Sequence, residues 1–145
     1  MNTSNANTPN LPGASSTARL IRYDTADPQA GGQKRPFAKA VRADAYVYVS
    51  GQVPTVNGEV VPGGIVAQTE QVIEHIKSVL ALAGCGLEDV IKVNCWLDDP
   101  RDFSSFNAVF EKHFMAHPPA RSTVESRLMI DARVEMDVIA WKPLD

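Results

Sequence analysis

"RVEMDVIAW" occupies residues 133–141, and its alternation decides the fold class. Successive side chains on an extended strand point to opposite faces. Val134, Met136, Val138 and Ala140 therefore share one face, while Arg133, Glu135, Asp137 and Ile139 share the other. The same pattern recurs upstream. "DVIKVNCWLDD" (89–99) sets Ile91, Val93, Cys95 and Leu97 against Lys92, Asn94 and Trp96. "AYVYVSGQVP" (45–54) sets Val47 and Val49 against Tyr46, Tyr48 and Ser50. In 121–128 the apolar set is Val124 and Leu128, and the opposite set is Arg121, Thr123, Glu125 and Arg127. "ARLIRY" (18–23) reads as a further short strand and "DTADPQAGGQKRP" (24–36) as a loop. Each main strand thus has one apolar face that needs cover.

Two segments of helical period supply it. Val66, Val72, Ile73, Ile76, Val79, Leu80 and Ala83 recur along 66–83, with Gly84 and Gly86 as stop signals. Asp99 is an N-cap candidate for a second helix, with Pro100 suited to the first turn. Along it, Phe103, Phe106, Phe110 and Phe114 form one aromatic stripe, the pattern of core packing. Asn57-Gly58 is a hairpin signal, because both residues tolerate positive φ. The reading is an α+β domain over 19–145, one mixed sheet with two amphipathic helices on one face. Residues 1–18, rich in Asn, Ser, Thr, Pro and Gly, read as a flexible tail.

The chain has 145 residues, 44% of them hydrophobic, which is enough for one ordinary core. Its 14 Lys and Arg against 17 Asp and Glu give a net charge of −3. With no basic run, nothing favours a nucleic-acid backbone. No apolar window is long enough for a membrane helix. The beginning of the sequence lacks a secretory pattern, and Cys85 and Cys95 have no motif spacing, so a cytoplasmic protein with reduced thiols is expected. His113 and His117 have metal-compatible spacing but no visible third ligand, so no metal site is expected.

The second sheet face mixes Tyr46, Tyr48 and Trp96 with charges and hydroxyls, a composition typical of subunit interfaces. It predicts a homo-oligomer that shelters Arg121 and Glu135. A sheltered arginine needs an anion. The alternation leaves two candidates open for Arg121: a ligand carboxylate, or a salt bridge to Glu125 or Glu135.

"VYVSGQVP" (47–54), "DFSSFNAVFEKHF" (102–114) and "PPARSTVES…RVEMDVIAW" (118–141) together resemble the reactive intermediate deaminase family, also called Rid or YjgF. The resemblance runs from about residue 36 to 142. It implies a chorismate-mutase-like fold, a homotrimer with sites between subunits, and hydrolysis of 2-imino or 2-enamino acids to 2-keto acids and ammonia, without metal or cofactor. By the same resemblance Arg121 binds the substrate carboxylate and Glu135 holds or activates water. Asn107, Ser50 and Gly51 line the site. Two positions depart from the family pattern: Thr123 stands where Cys is frequent, and Phe37 where a tyrosine is frequent. Thr123 is a candidate partner for the imine nitrogen or the water. A small-carboxylate sensor of the same fold is the main competing expectation, and ribonuclease activity is disfavoured by the acidic balance.

Overall fold

The computed structural model describes residues 19–27 and 31–145; the tail expected over 1–18 lies outside them. The six-stranded sheet comprises β1 (Leu20–Tyr23), β2 (Ala40–Ala43), β3 (Tyr46–Gln52), β4 (Val90–Leu97), β5 (Ala120–Glu125) and β6 (Val134–Trp141). Its spatial order is β1-β2-β3-β6-β4-β5. All pairings are antiparallel except β4 with β5, which is parallel. Helices α1 (Gly64–Leu82) and α2 (Phe103–Phe114) carry the chain between strands. Asp99 caps the turn leading into α2 by accepting the Arg101 amide at 2.9 Å, with Pro100 following it. Asn57 and Gly58 both adopt positive φ in a tight hairpin between Thr55–Val56 and Glu59–Val60, as their sequence predicts.

β6 lies in the middle of the sheet, and its apolar set is fully enclosed: Val134, Met136, Val138 and Ala140 are at most 1% exposed. They pack with Val72, Ile73, Ile76 and Leu80 of α1 and Phe106, Phe110 and Phe114 of α2 in one core. Tyr46 and Tyr48 project from the other side and stay exposed.

Three expectations need correction. Arg121 and Thr123 do not share the mixed face. The parallel register pairs Arg121 with Val93 and Thr123 with Cys95, so both lie on the helix-covered side. Val124 pairs with Trp96 instead and is exposed on the open side. Ile91 is also outside the core, because a register shift between Ile139 and Ala140 brings Val90 inward in its place. Val66 is exposed, and Ile65 takes its place on the buried face of α1.

β2 had no counterpart in the sequence reading. It carries Arg42, which is 1% exposed. The Arg42 guanidinium donates to the carbonyls of Asp44 (3.0 Å), Lys142 (2.8 Å) and Ala83 (2.7 Å). These contacts tie the C-terminal end of α1, where carbonyls lack helical partners, to the sheet and to the end of β6.

Candidate functional site

The parallel register delivers Arg121 from β5 to the flank of α2. Nη1 donates to Asn107 Oδ1 at 2.8 Å, and the Asn107 amide donates to Glu111 Oε1 at 2.9 Å. The guanidinium carbon lies 4.6 Å from the Phe110 ring centroid, 5.8 Å from Phe103 and 5.9 Å from Phe106. Phe106 and Phe110 therefore serve both the core and the cation, Phe114 serves the core alone, and the exposed Phe103 serves the cation alone. Among the described residues no carboxylate is within ion-pair distance of Arg121. Neither Glu125 nor Glu135 claims it. Arg121 and Asn107 line a cavity of about 430 Å³ with Phe110, Phe114 and Met115.

Glu135 pairs with Trp96 across the β6–β4 ladder and so belongs to the opposite side of the sheet from Arg121. Its neighbour is the bulge in β3. There the register slips between Met136↔Gln52 and Val138↔Val49, leaving an extra residue in the Ser50–Gly51 stretch. A Cβ on Gly51 would overlap the Glu135 carboxylate, so any larger residue there requires that side chain to swing aside. Burial, and then the Asp137 charge, raise Glu135 above the usual carboxylate range. Asp137 itself accepts from the Asn94 amide at 2.9 Å.

Ser50 is a brace: its hydroxyl donates to the Ala38 carbonyl at 2.6 Å. That bond fixes the segment carrying Phe37, which is 55% exposed. Phe37 and Gly51 line a second cavity of about 450 Å³ with Arg35, Lys39 and His75. The Thr123 hydroxyl is buried against the Cys95 thiol, a weak hydrogen-bonding partner. Beneath it, burial pushes the Cys95 thiol up to about 12, so it is no nucleophile at neutral pH. His113 is engaged by Glu70 at 2.7 Å.

Within one chain the expected residues thus fall into two groups. Arg121, Asn107 and Thr123 lie on the helix side; Glu135, Gly51, Ser50 and Phe37 cluster around the β3 bulge. The Asn107–Glu111 link and the triple aromatic contact of Arg121 were not anticipated. The spacing of Asn107 and Glu111, four residues apart on a helix, was the available signal.

A mixed sheet with both helices on one side, and a cation held at its edge without a counter-charge, defines a small α+β protein. The chain belongs to the family described as Endoribonuclease L-PSP, the YjgF/RidA/RutC family, whose model matches residues 28–142. It is 43% identical over 110 residues to a RutC family protein of Pyrococcus abyssi, covering 74% of this chain and 87% of that one. It is 35% identical over 130 residues to the 2-iminobutanoate/2-iminopropanoate deaminase of Mus musculus, covering 87% and 93%. The fold matches the crystal structure of yeast Mmf1 with a TM-score of 0.75 and 36% identity, over 87% of this chain and 99% of that one. It also matches E. coli TdcF with bound serine at a TM-score of 0.72 and 29% identity, over 86% and 98%. No helix among the described residues is long and apolar enough to cross a membrane.

Proposed function

We propose that this chain hydrolyses reactive 2-imino and 2-enamino acids, 2-aminoacrylate-type compounds included, to 2-keto acids and ammonia. The observation that carries the reading is Arg121: partly buried, oriented by Asn107, and unpaired with any carboxylate among the described residues. Its planar fork matches a substrate carboxylate bidentately. The mouse relative, described as an iminobutanoate/iminopropanoate deaminase, supports the same chemistry.

An iminium carbon is already electrophilic, so positioning and one proton acceptor suffice. Water attacks that carbon while its proton passes to Glu135, whose raised affinity for protons suits the task. Glu135 then returns that proton to the carbinolamine nitrogen, the C–N bond breaks as the hydroxyl oxygen forms the keto group, and the hydroxyl proton passes to the Glu135 carboxylate or to the departing ammonia. Phe37, Ser50 and Gly51 shape the Glu135 side, the enclosed Thr123 hydroxyl takes no step, and no metal or organic cofactor takes part.

Arg121 and Glu135 lie on opposite sides of one sheet, so the site is completed between copies. We place the protein in a chorismate-mutase-like homotrimer that buries the open face with Tyr46 and Tyr48. Residues 19–145 form its working domain, and a reducing, cytoplasmic compartment suits its two free cysteines. The same separation favours a second reading, a sensor that binds small carboxylates at Arg121 without turnover. The net charge of −3 gives no electrostatic support to a ribonuclease reading.

The test is keto-acid release from freshly generated 2-iminopropanoate by wild type, Arg121→Ala, Glu135→Gln and an unfolded-and-refolded mixture of the two variants. Two inactive variants that regain activity on mixing support a site shared between copies. Wild type that binds the acid but releases no keto acid leaves the sensor.

A further inference from the structure

The Asn107 side chain stands between opposite charges. Its Oδ1 accepts from Arg121 Nη1 at 2.8 Å, and its Nδ2 donates to Glu111 Oε1 at 2.9 Å. A primary amide can serve a guanidinium on one side and a carboxylate on the other in one orientation only. Flipped, it would turn its NH2 toward the guanidinium and its oxygen toward the carboxylate. Asn107 and Glu111 lie four residues apart on α2, so the helix itself brings them together. Among the described residues no cation is within ion-pair distance of Glu111, which leaves its carboxylate to the amide. Arg121 also rests on the Phe110 ring, 4.6 Å from its centroid. A ring face attracts a cation without fixing which N–H points where. The Asn107 bond fixes it.

We propose, building on the Arg121 clamp of the deaminase reading, that Glu111 is a positioning residue for ligand binding: it locks the Asn107 amide with its oxygen toward Arg121, and so turns the remaining guanidinium N–H groups toward the ligand carboxylate. Glu111 acts through Asn107, not by holding the ligand. The donated bond also polarises the amide and makes Oδ1 a better acceptor. The bare charge of Glu111 works the other way, because a carboxylate near the clamp repels an anionic ligand. The two effects have opposite signs, so substitution separates them. Glu111→Gln keeps an acceptor and removes the charge, whereas Glu111→Ala removes both.

The test is calorimetric titration of the full chain with 2-oxopropanoate, the stable product-side acid. Wild type is compared with Glu111→Gln, Glu111→Ala, Asn107→Ala and the double variant, with imine kinetics and melting temperatures in parallel. Glu111→Ala should weaken binding about 2- to 10-fold, the worth of one hydrogen bond. KM for the imine should rise in step while kcat and Tm hold. Glu111→Gln should bind at least as tightly as wild type. The double variant should bind no more weakly than Asn107→Ala alone, because the lock then has nothing to hold. Unchanged or tighter binding by Glu111→Ala, equal loss in Glu111→Gln, or an additive loss in the double variant overturns the inference even if imines are hydrolysed. The expected binding pattern without any hydrolysis supports the lock and counts against the deaminase reading alone. A wild type that binds no acid removes the clamp, and the inference with it.

Discussion

Arg121 Nη1 sits 2.8 Å from Asn107 Oδ1 while its guanidinium carbon rests 4.6 Å from the centre of the Phe110 ring one helical turn along. A neutral acceptor and an aromatic face hold the cation without cancelling it. The charge remains available, which a salt bridge would not allow.

Replacing Arg121 should therefore damage ligand binding far more than folding. Loss of a sheltered, charge-assisted contact costs about 2–5 kcal/mol, or about 30- to 5,000-fold in kcat/KM. Arg121→Lys should recover only part of it, because an ammonium has no planar fork. Steady-state kinetics and melting temperatures on both variants decide the matter. A folded Arg121→Ala with wild-type kinetics would falsify the carboxylate clamp.

Glu135→Gln should separate stability from turnover. Burial and the Asp137 charge raise the Glu135 carboxyl, so the folded chain holds that proton more tightly than the unfolded chain does. Its stability contribution is fully present below the ordinary glutamate value of about 4.3, and is lost as pH rises through the higher folded value. Glutamine carries no such cost. The variant should thus melt above wild type at about pH 7 and match it at about pH 3, while turnover falls roughly 10²–10⁴-fold. A melting difference that does not change with pH would contradict this assignment.

Gly51→Ala places a methyl group where the Glu135 carboxylate lies. Because only the movable end of the Glu135 side chain is in the way, the stability cost should stay within about 0.5–1.5 kcal/mol, the scale of an off-rotamer side chain. The displaced carboxylate should lower kcat while calorimetric binding of a keto acid at Arg121 persists. Unchanged kcat in this variant would mean that the position of Glu135 is immaterial to the reaction.

Arg42→Met should destabilise without touching the chemistry. It strips donors from the Asp44, Lys142 and Ala83 carbonyls, while relieving the burial of a charge. The net loss should be about 2–4 kcal/mol, or a drop of roughly 5–15 °C in Tm. Thermal and urea unfolding provide the check; a variant as stable as wild type would show that these carbonyls find other partners.

The strands at 133–141 and 45–54 were legible because one side of each is solidly apolar and buried. β2 was not, since a fully buried arginine breaks the rule that charge marks the outside. β5 was found, but its faces were exchanged. It is an edge strand with one large apolar residue, Val124, so the pattern pointed that residue inward. The parallel register with β4 instead turns Arg121 and Thr123 toward α2. Polar residues facing a core are what a ligand site requires, and they defeat a reading based on polarity. The identities of Arg121, Glu135 and Asn107 came through resemblance of motifs. Their partners did not, because Asn107, Phe110 and Arg121 meet only through tertiary register.

The order of strands also bears on how the protein is made. β6, in the middle of the sheet, comes latest in sequence among the six described strands of that sheet, and the buried Arg42 finds one acceptor at Lys142, a hundred positions later. While the ribosome is still adding residues 134–141, β3 and β4 have no neighbour to join them, and both present open edges. Pairings this distant close slowly, because the intervening chain must be ordered first. The sheet therefore assembles only once residues 134–141 are available to join β3 to β4. A transcript truncated before residue 134 should yield not a smaller stable domain but a chain with two exposed strand edges and half a core.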